Sequence, residues 1–213
     1  MPARRPTLRD VAAAAGVRPS TASRVLRPHT RGLVSEAVAR RVERVVRRLG
    51  YAPDAVAAGL RTKRTATIGV LIPDIANPVF PPILRGIERV LVPHGYTAIV
   101  ANTDNLQERE WAALAQLAAR RVDGVVVASA RWVDDVAARC GRLGLPAVLV
   151  NRRPRDGRLS AVITDDEAGA AQAVAHLVGL GHRAIGHVGG PVSLSTGRAR
   201  RAGFLASTRE AGL

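Results

Sequence analysis

Residues 7–26 read TLRDVAAAAGVRPSTASRVL, and this stretch predicts two short helices joined at Gly16. Thr7 is a favourable N-cap, and Asp10 takes the third helical position, where an acid stabilises the start of a helix. Gly16 can adopt the left-handed conformation that ends a helix. Pro19 suits the first turn of the next helix, because its missing N–H would have no partner there. The first helix is therefore predicted over residues 8–15, and the second begins at Pro19.

The second helix has an apolar face and a polar face. Ala22, Val25 and Leu26 recur at helical spacing and are predicted to point inward. The opposite face is rich in hydroxyls and ends in an arginine; its residues are Ser20, Thr21, Ser23 and Arg24. Two helices at such a turn are typical of a helix-turn-helix, whose second helix enters the major groove of DNA.

A third helix is predicted between the N-cap Ser35 and Gly50, where it would cover the first two. Apolar residues recur there at helical spacing, namely Val38, Val42, Val45 and Leu49. Arginines take most of its other positions, and we expect them to form a solvated face with one or two near phosphate.

Positive charge is concentrated at the amino end of the chain. The formal net charge of the whole sequence is +15. Residues 1–64 hold fifteen Arg and Lys against four Asp and Glu, which places +11 of that charge in this segment. A GC-rich genome would raise the arginine content everywhere but would not segregate it, so the distribution predicts nucleic-acid binding.

After a basic linker at 61–67, apolar strands alternate with amphipathic helices. The alternation predicts a parallel sheet with right-handed crossovers, and ligands of such sheets bind beyond the carboxyl ends of the strands. Strands are predicted at 68–73, 96–102, 123–129, 146–151, 161–165 and 184–190. Helices are predicted at 80–94, 107–120, 133–143, 167–180 and 198–211.

Several function classes are not expected. Cys140 is the only cysteine, so no disulfide can form within the chain, and its apolar neighbours predict a buried helix position. The histidines show no metal-ligand spacing, no cofactor is indicated, and nucleophile-elbow, dinucleotide and P-loop motifs are absent, so an enzyme is not expected. The sequence lacks an apolar leader and a long uncharged apolar run, which predicts a cytoplasmic protein without a membrane span.

Longer segments of the chain resemble the lactose/purine repressor family (LacI-type regulators). TLRDVAAAAGV, STASRVL and VSEAVARRVERVVRRLGYAPDAVAAGL are similar to its DNA-binding head, without a break from Thr7 to Leu60. IPDIANPVF, RRVDGVVVAS, LGHRAIGHVGGP and STGRARRAGF are similar to its effector domain. The resemblance implies an all-α helix-turn-helix head followed by a doubly wound, parallel-sheet α/β domain like the periplasmic binding proteins, with an incomplete second subdomain.

The resemblance also implies domain boundaries and a function. The head would span 1–52, the hinge helix and linker 53–67, the first effector subdomain 68–163 and a partial second subdomain 164–213. The implied function is a sequence-specific transcriptional regulator of the repressor type that binds a double-stranded DNA operator as a homodimer. The alternative is a stand-alone sugar-binding receptor, which leaves the basic head unexplained and lacks a secretion signal.

Residues that contact DNA are implied by the same resemblance. Base reading is implied for Pro19, Ser20 and Arg24, and phosphate contact for Thr7, Thr21 and Ser23. The hinge helix would fold on operator DNA with Ala55 and Leu60 at the minor groove, where an apolar wedge kinks the duplex. Two hinges must meet there, so the operator would be pseudo-palindromic.

An effector site is implied at the carboxyl ends of the strands. Arg198 would anchor a sugar or another small metabolite, and Phe80 would pack on it. Weaker candidates are Asn102, Asp104, Ser129 and Asp165.

The sequence departs from the family pattern in the helix-turn-helix, in the loop that follows it, and at Asp54 and Gly59 of the hinge. Arg18 replaces the usual serine cap of the second helix, which weakens that helix start. The loop RPHTRGL at 27–33 is longer than the usual one.

Members of this family continue well past the position of Leu213, which leads to a testable expectation. The 213-residue chain would lack the far half of the ligand cleft, so we expect it to bind effector weakly or not at all. Thermal denaturation with and without candidate metabolites measures this. A metabolite that raises the melting temperature of the 213-residue chain would contradict it.

Overall fold

The computed structural model describes residues 6–52 and 64–213 and divides the chain into two compact units, Met1–Lys63 and Arg64–Leu213. The first unit contains α1 (Leu8–Ala14), α2 (Pro19–Val25), α3 (Pro28–Arg31) and α4 (Glu36–Leu49). In the part of the chain that the structure describes, no helix has the length and apolar character needed to cross a membrane.

The second unit alternates strands and helices along the chain. Its strands are β1 (Thr67–Ile72), β2 (Thr97–Asn102), β3 (Gly124–Val127), β4 (Ala147–Val150) and β5 (Ala161–Val162). Its helices are α5 (Phe80–Leu91) with a 3-10 turn at Val92–His94, α6 (Gln107–Ala119), α7 (Val136–Arg142), α8 (Asp166–Gly179) and α9 (Ser195–Glu210).

A small apolar core holds the first unit together. Helices α1, α2 and α4 all contribute to it. The predicted inward faces are confirmed except at Leu26, which is only half-buried and is not part of this core. The buried residues are Val11, Ala12, Ala15, Ala22, Val25, Ala39, Val42 and Val45. Gly50 ends α4 with a φ of 61°, a conformation that glycine adopts without a steric penalty.

The segment 27–33 is not a plain loop, which corrects the sequence-based expectation. It contains the helical turn α3, which Pro28 starts and Gly32 follows. Backbone bonds from Thr30 and Arg31 to the Arg27 carbonyl close this turn, at 3.1 and 2.9 Å. The additional residues of the segment therefore form a folded connection between α2 and α4.

The sheet of the second unit is parallel throughout, in the order β2-β1-β3-β4-β5. Alternate residues of each strand face opposite layers, as the period of two requires. Leu71, Val127 and Leu149 join the core formed with α6 and α7. Val70 and Ile72 join a second core with Phe80 and α5. Helices cover both faces, so the doubly wound prediction is confirmed.

Asp123 fixes the point where the chain enters β1. Its carboxylate accepts the backbone N–H groups of Thr65 and Ala66, at 2.8 and 3.0 Å. Ala66 has a φ of 52°, so the chain turns sharply there before the strand starts. The segment 61–67, predicted as a linker, therefore ends in a fixed turn.

The predicted strand at 184–190 is wrong. Residues 182–191 are assigned neither helix nor strand, and among the described residues no strand lies beside them to pair with their backbone. Val188 is fully exposed as a result. The predicted strand at 161–165 is also too long, because only Ala161 and Val162 pair with β4.

Two glycines set the packing of α9. The carbonyl of Pro191 lies 2.3 Å from where a Cβ on Gly197 would stand. The carbonyl of Glu167 lies 2.1 Å from where a Cβ on Gly203 would stand, so the α9 backbone rests directly on the start of α8. Helix α9 begins at Ser195 and not at the predicted Arg198, so its first turn contains Ser, Thr and Gly, which have weak helix propensity.

This close approach predicts the effect of Gly203→Ala. The added methyl group would clash with the Glu167 carbonyl and push α8 and α9 apart, at a cost of about 1–3 kcal/mol in the free energy of unfolding. Gly169→Ala on α8 is the matched control, since open space surrounds the position of its Cβ. The control should stabilise by up to about 1 kcal/mol through helix propensity. Equal denaturation midpoints for the two variants would contradict the prediction.

Candidate nucleic-acid interface and effector cleft

Thr7 and Asp10 form the capping box predicted at the start of α1. The Thr7 N–H donates to the Asp10 carboxylate at 2.7 Å, and the Asp10 N–H donates to the Thr7 hydroxyl at 3.3 Å. The same hydroxyl also donates to the carboxylate at 2.7 Å. A phosphate contact by Thr7, which the family resemblance implies, would have to compete with these bonds.

Helix α2 presents its polar face to solvent. Ala22 and Val25 are buried in the core, while Pro19, Ser20 and Arg24 are exposed. Thr21 and Ser23 are half-buried at the flanks of that face. The N-cap Arg18 makes no capping bond through its side chain, as expected from the missing serine. The structure thus brings the predicted base-reading residues to one open face of the head.

The other predicted DNA contacts fall into two groups. Ala55 and Leu60 lie outside the described residues. The arginines of α4 are exposed, as the sequence predicts; they are Arg40, Arg41, Arg44, Arg47 and Arg48.

A cavity of about 480 Å³ lies in the second unit, beside the start of α9. Arg198 lines it, and its guanidinium carbon stands 4.8 Å from the centre of the Trp132 ring, a cation–π geometry. The backbone of Trp132 is held at both of its polar groups, since the backbone N–H donates to the Ser193 carbonyl at 2.8 Å and the backbone carbonyl accepts from the Arg155 N–H at 2.9 Å. An arginine and an aromatic ring at one cavity wall can bind a polar ring such as a sugar.

The remaining predicted effector residues do not line this cavity. Phe80 is 1% exposed and packs in the core under α5. Asp165 accepts the Ala168 N–H at 3.0 Å as the cap of α8 and lines a separate cavity of about 600 Å³. Asn102 accepts the Ile75 N–H at 3.0 Å, and its amide donates to Asp104, which also pairs with Arg109.

Ser129 is the remaining predicted effector residue. It is bonded to a buried carboxyl group, that of Glu110, which the sequence pattern did not indicate. The Ser129 hydroxyl donates to Glu110 of α6, and both side chains are buried. Burial raises the pKa of Glu110 to about 7, although the Ser129 bond opposes this and nearby Asp134 adds to it. Glu110 follows the charged residues Glu108 and Arg109 in the sequence, so the sequence pattern did not predict that its side chain would be buried.

Asp134 fixes the loop between β3 and α7 next to this pair. Its carboxylate accepts the Arg131 and Val136 N–H groups, at 2.8 and 2.9 Å, and so caps α7. This cap explains why α7 begins three residues later than predicted. Cys140 of α7 is buried, as predicted, and burial raises the pKa of its thiol to about 11.

Two family models cover nearly all of the chain. Residues 7–54 match the bacterial regulatory proteins of the lacI family. Residues 65–213 match the periplasmic binding proteins and sugar binding domain of the LacI family. The chain belongs to the LacI family.

Individual relatives agree with this membership. The chain is 37% identical over 183 residues, 86% of its length, to the HTH-type transcriptional regulator RegA of Clostridium saccharobutylicum, of which it covers 54%. It is 33% identical over 208 residues, 97% of its length, to the ribose operon repressor of Escherichia coli, of which it covers 62%. The chain therefore spans less than two thirds of the length of these LacI-family relatives.

Solved structures of the family share the fold. The Lac repressor bound to ONPG in its repressed state matches with a TM-score of 0.83 and 30% identity, over 99% of this chain and 64% of that one. A LacI-family regulator from Silicibacter pomeroyi matches with a TM-score of 0.73 and 33% identity, over 98% of this chain and 62% of that one.

The raised pKa of Glu110 predicts a pH dependence of stability. Unfolding returns the carboxyl to its ordinary value of 4.5, so between about pH 4.5 and about pH 7 the folded state binds more protons than the unfolded state. The free energy of unfolding should therefore fall as pH rises through this window, by about 2–3 kcal/mol.

Glu110→Gln should remove this dependence, because the amide does not ionise. Urea denaturation of both proteins at intervals from about pH 5 to about pH 8 measures it. Glu108→Gln, an exposed acid on the same helix, is the matched control and should keep the wild-type slope. A wild-type slope that survives in Glu110→Gln would show that another group titrates.

Proposed function

We propose that this LacI-family chain is a sequence-specific DNA-binding transcriptional regulator, acting as a repressor. One observation carries the proposal: the buried core of the head leaves Pro19, Ser20 and Arg24 together on an open helical face. The fourteen Arg and Lys of residues 1–63 give that unit the positive charge that attracts phosphate. Family membership supports the same function.

Each polar residue of α2 has a role in this proposal. The planar guanidinium of Arg24 reads a guanine through O6 and N7, a contact worth ~1–3 kcal/mol of discrimination. Ser20 forms hydrogen bonds to a base edge, and Pro19 makes an apolar contact. Thr21, Ser23 and Thr7 contact phosphates, which position the helix without reading sequence.

The operator is a pseudo-palindrome and the regulator a homodimer in this proposal. The hinge at 53–60 brings Ala55 and Leu60 of each copy to the minor groove, where the apolar side chains wedge between base steps. The domains keep the proposed boundaries of 1–52, 53–67, 68–163 and 164–213. The protein acts in the cytoplasm, where its operator is.

A small effector such as a sugar changes the affinity for the operator, although we expect the 213-residue chain by itself to bind that effector weakly or not at all. The cavity beside Trp132 and Arg198 supports this part, because it offers an aromatic face and a guanidinium at the carboxyl edge of the sheet, where ligands of such folds bind. The effector binds one conformation of the regulator better than another and so shifts the population between them.

Arg24→Ala tests the base-reading role. Operator duplexes are selected from a randomised pool with the full chain, and binding is then measured to the selected duplex and to variants of each base pair. Replacing the guanine that faces Arg24 should weaken wild-type binding about tenfold or more, and it should have almost no effect on the variant. Arg24→Lys keeps the charge but loses the planar fork, so it should also lose most of the discrimination.

Salt titrations provide the control. The logarithm of the wild-type binding constant should fall steeply with the logarithm of salt concentration, by about 0.9 per phosphate contact. Arg85→Ala removes one exposed arginine from α5 of the other unit and should keep the discrimination. If Arg24→Ala weakens every duplex equally, Arg24 contacts phosphate; if the wild-type chain selects no duplex, the proposed function is wrong.

A further inference from the structure

We propose that Thr30 and Arg31, on the turn α3, are positioning residues that fix the Arg24 end of the recognition helix α2. This inference rests on the proposed function, since it concerns how Arg24 is held for base reading. It adds two residues to the reading apparatus that neither touch the exposed face of α2 nor belong to the predicted DNA contacts.

Thr30 holds the backbone of Arg24 directly. The last carbonyls of a helix have no partner within the helix, and α2 ends at Val25, one residue after Arg24. The Arg24 carbonyl accepts the Thr30 hydroxyl at 2.9 Å, a shorter bond than the 3.3 Å bond from the Arg27 N–H. The Thr30 side chain therefore fixes the peptide group of the residue whose side chain is to read a base.

Arg31 fixes the same turn to α4. Its Nε donates to Glu43 at 2.9 Å, and Nη1 and Nη2 donate to the two oxygens of Glu36, at 3.1 and 3.2 Å. The pairing lowers the pKa of Glu36, through its hydrogen bond and charge interaction with Arg31. One guanidinium thus joins α3 to the first and second turns of α4, the helix that supplies three residues of the head core.

We call the ion pairs of Arg31 with Glu36 and Glu43 the clamp. The clamp fixes the geometry of the turn and contributes little to the free energy of unfolding. The side chains of Arg31 and Glu43 are 40% and 32% exposed, and ion pairs with such exposure contribute little to the free energy of unfolding. A planar guanidinium held by two carboxylates nevertheless has one orientation, because its donors form a rigid fork. The turn that carries Thr30 is therefore held in one place on α4.

The clamp also argues against a direct phosphate contact by Arg31. Three of its donor nitrogens already serve carboxylates. The triad of Arg31, Glu36 and Glu43 has a net charge of −1, which repels phosphate. Arg31 therefore acts in this proposal by holding the end of α2 in place and not by attracting DNA.

Thr30→Val is the first test, because it removes the hydroxyl and keeps the shape of the side chain. The probe is the duplex that the wild-type full chain selects from a randomised pool, with its variant at the guanine that Arg24 reads. The affinity ratio between the two duplexes should shrink about threefold in Thr30→Val, as expected for one lost hydrogen bond. Affinity for unrelated duplex should stay within about twofold, and Thr30→Ser, which keeps the hydroxyl, should restore the wild-type ratio.

Arg31→Gln and Glu43→Gln form the second test, since they break one clamp and change the net charge in opposite directions. Both should shrink the guanine ratio, whereas a purely electrostatic effect would move binding to all duplexes in opposite directions. The salt slope should be the same in Arg31→Gln as in the wild type. A slope lower by about one would identify Arg31 as a phosphate contact and overturn the inference.

The outcomes separate this inference from the proposed function. A wild-type chain without any duplex preference refutes the proposed function. A wild-type chain that selects a duplex, with variants at Thr30, Arg31 and Glu43 that keep its guanine ratio, refutes only the positioning role. Melting temperatures of the variants identify a merely structural role, because lost stability without a change in the ratio also contradicts the inference.

Discussion

The head depends on the burial of one apolar face of α2 against α1 and α4. Helix α2 has seven residues and contains Pro, Ser and Thr, so it would not be stable in isolation. Ala22 and Val25 become fully buried only because α1 and α4 close over them. Many of these core residues are alanines and valines, which allow the helices to approach closely. The exposed face that we propose reads DNA exists because the opposite face is packed.

In the second unit the buried sheet supports the exposed polar groups, as the apolar core does in the head. Helices on both faces bury the central strands, so the open positions for polar groups are the loops at the carboxyl ends. There Trp132 and Arg198 stack beside a cavity, while Ser129 and Glu110 turn inward. The loop after β3 thus contributes Trp132 to a cavity with Arg198 of α9, and it contributes Ser129 to a buried pair with Glu110 of α6.

Local pattern predicted most of the fold. The apolar periodicity of α4 and the capping box of α1 appear in the structure as the sequence indicates, because residues close in the chain determine them. The wrong predictions concern segments whose structure depends on contacts between residues distant in the sequence. Residues 184–190 have the composition of a strand but no neighbouring strand among the described residues. Helix α9 starts three residues before the predicted Arg198, and its Gly197 and Gly203 pack on backbone from elsewhere in the chain.

The candidate sites also contain features that local sequence predicts and features that tertiary packing determines. The exposure of Pro19, Ser20 and Arg24 follows from the helical period alone. The burial of Phe80 and Glu110 does not, because it depends on which face α5 and α6 turn to the sheet. Arg198 reaches its cavity through the packing of α9, and its stacking on Trp132 joins residues 66 positions apart in sequence.

The acids of the head explain how so basic a unit folds and still presents its charge. Within residues 6–52 the acids are Asp10, Glu36 and Glu43. Asp10 caps α1, and the two glutamates hold Arg31, so each acid is bound in a structural contact. Arg24 and the arginines along α4 are left exposed, apart from a loose 4.0 Å approach of Arg40 to Glu36. Repulsion among these arginines disfavours the compact state, and neutralisation by phosphate would relieve it, so the proposed DNA binding would stabilise the head through the same charges.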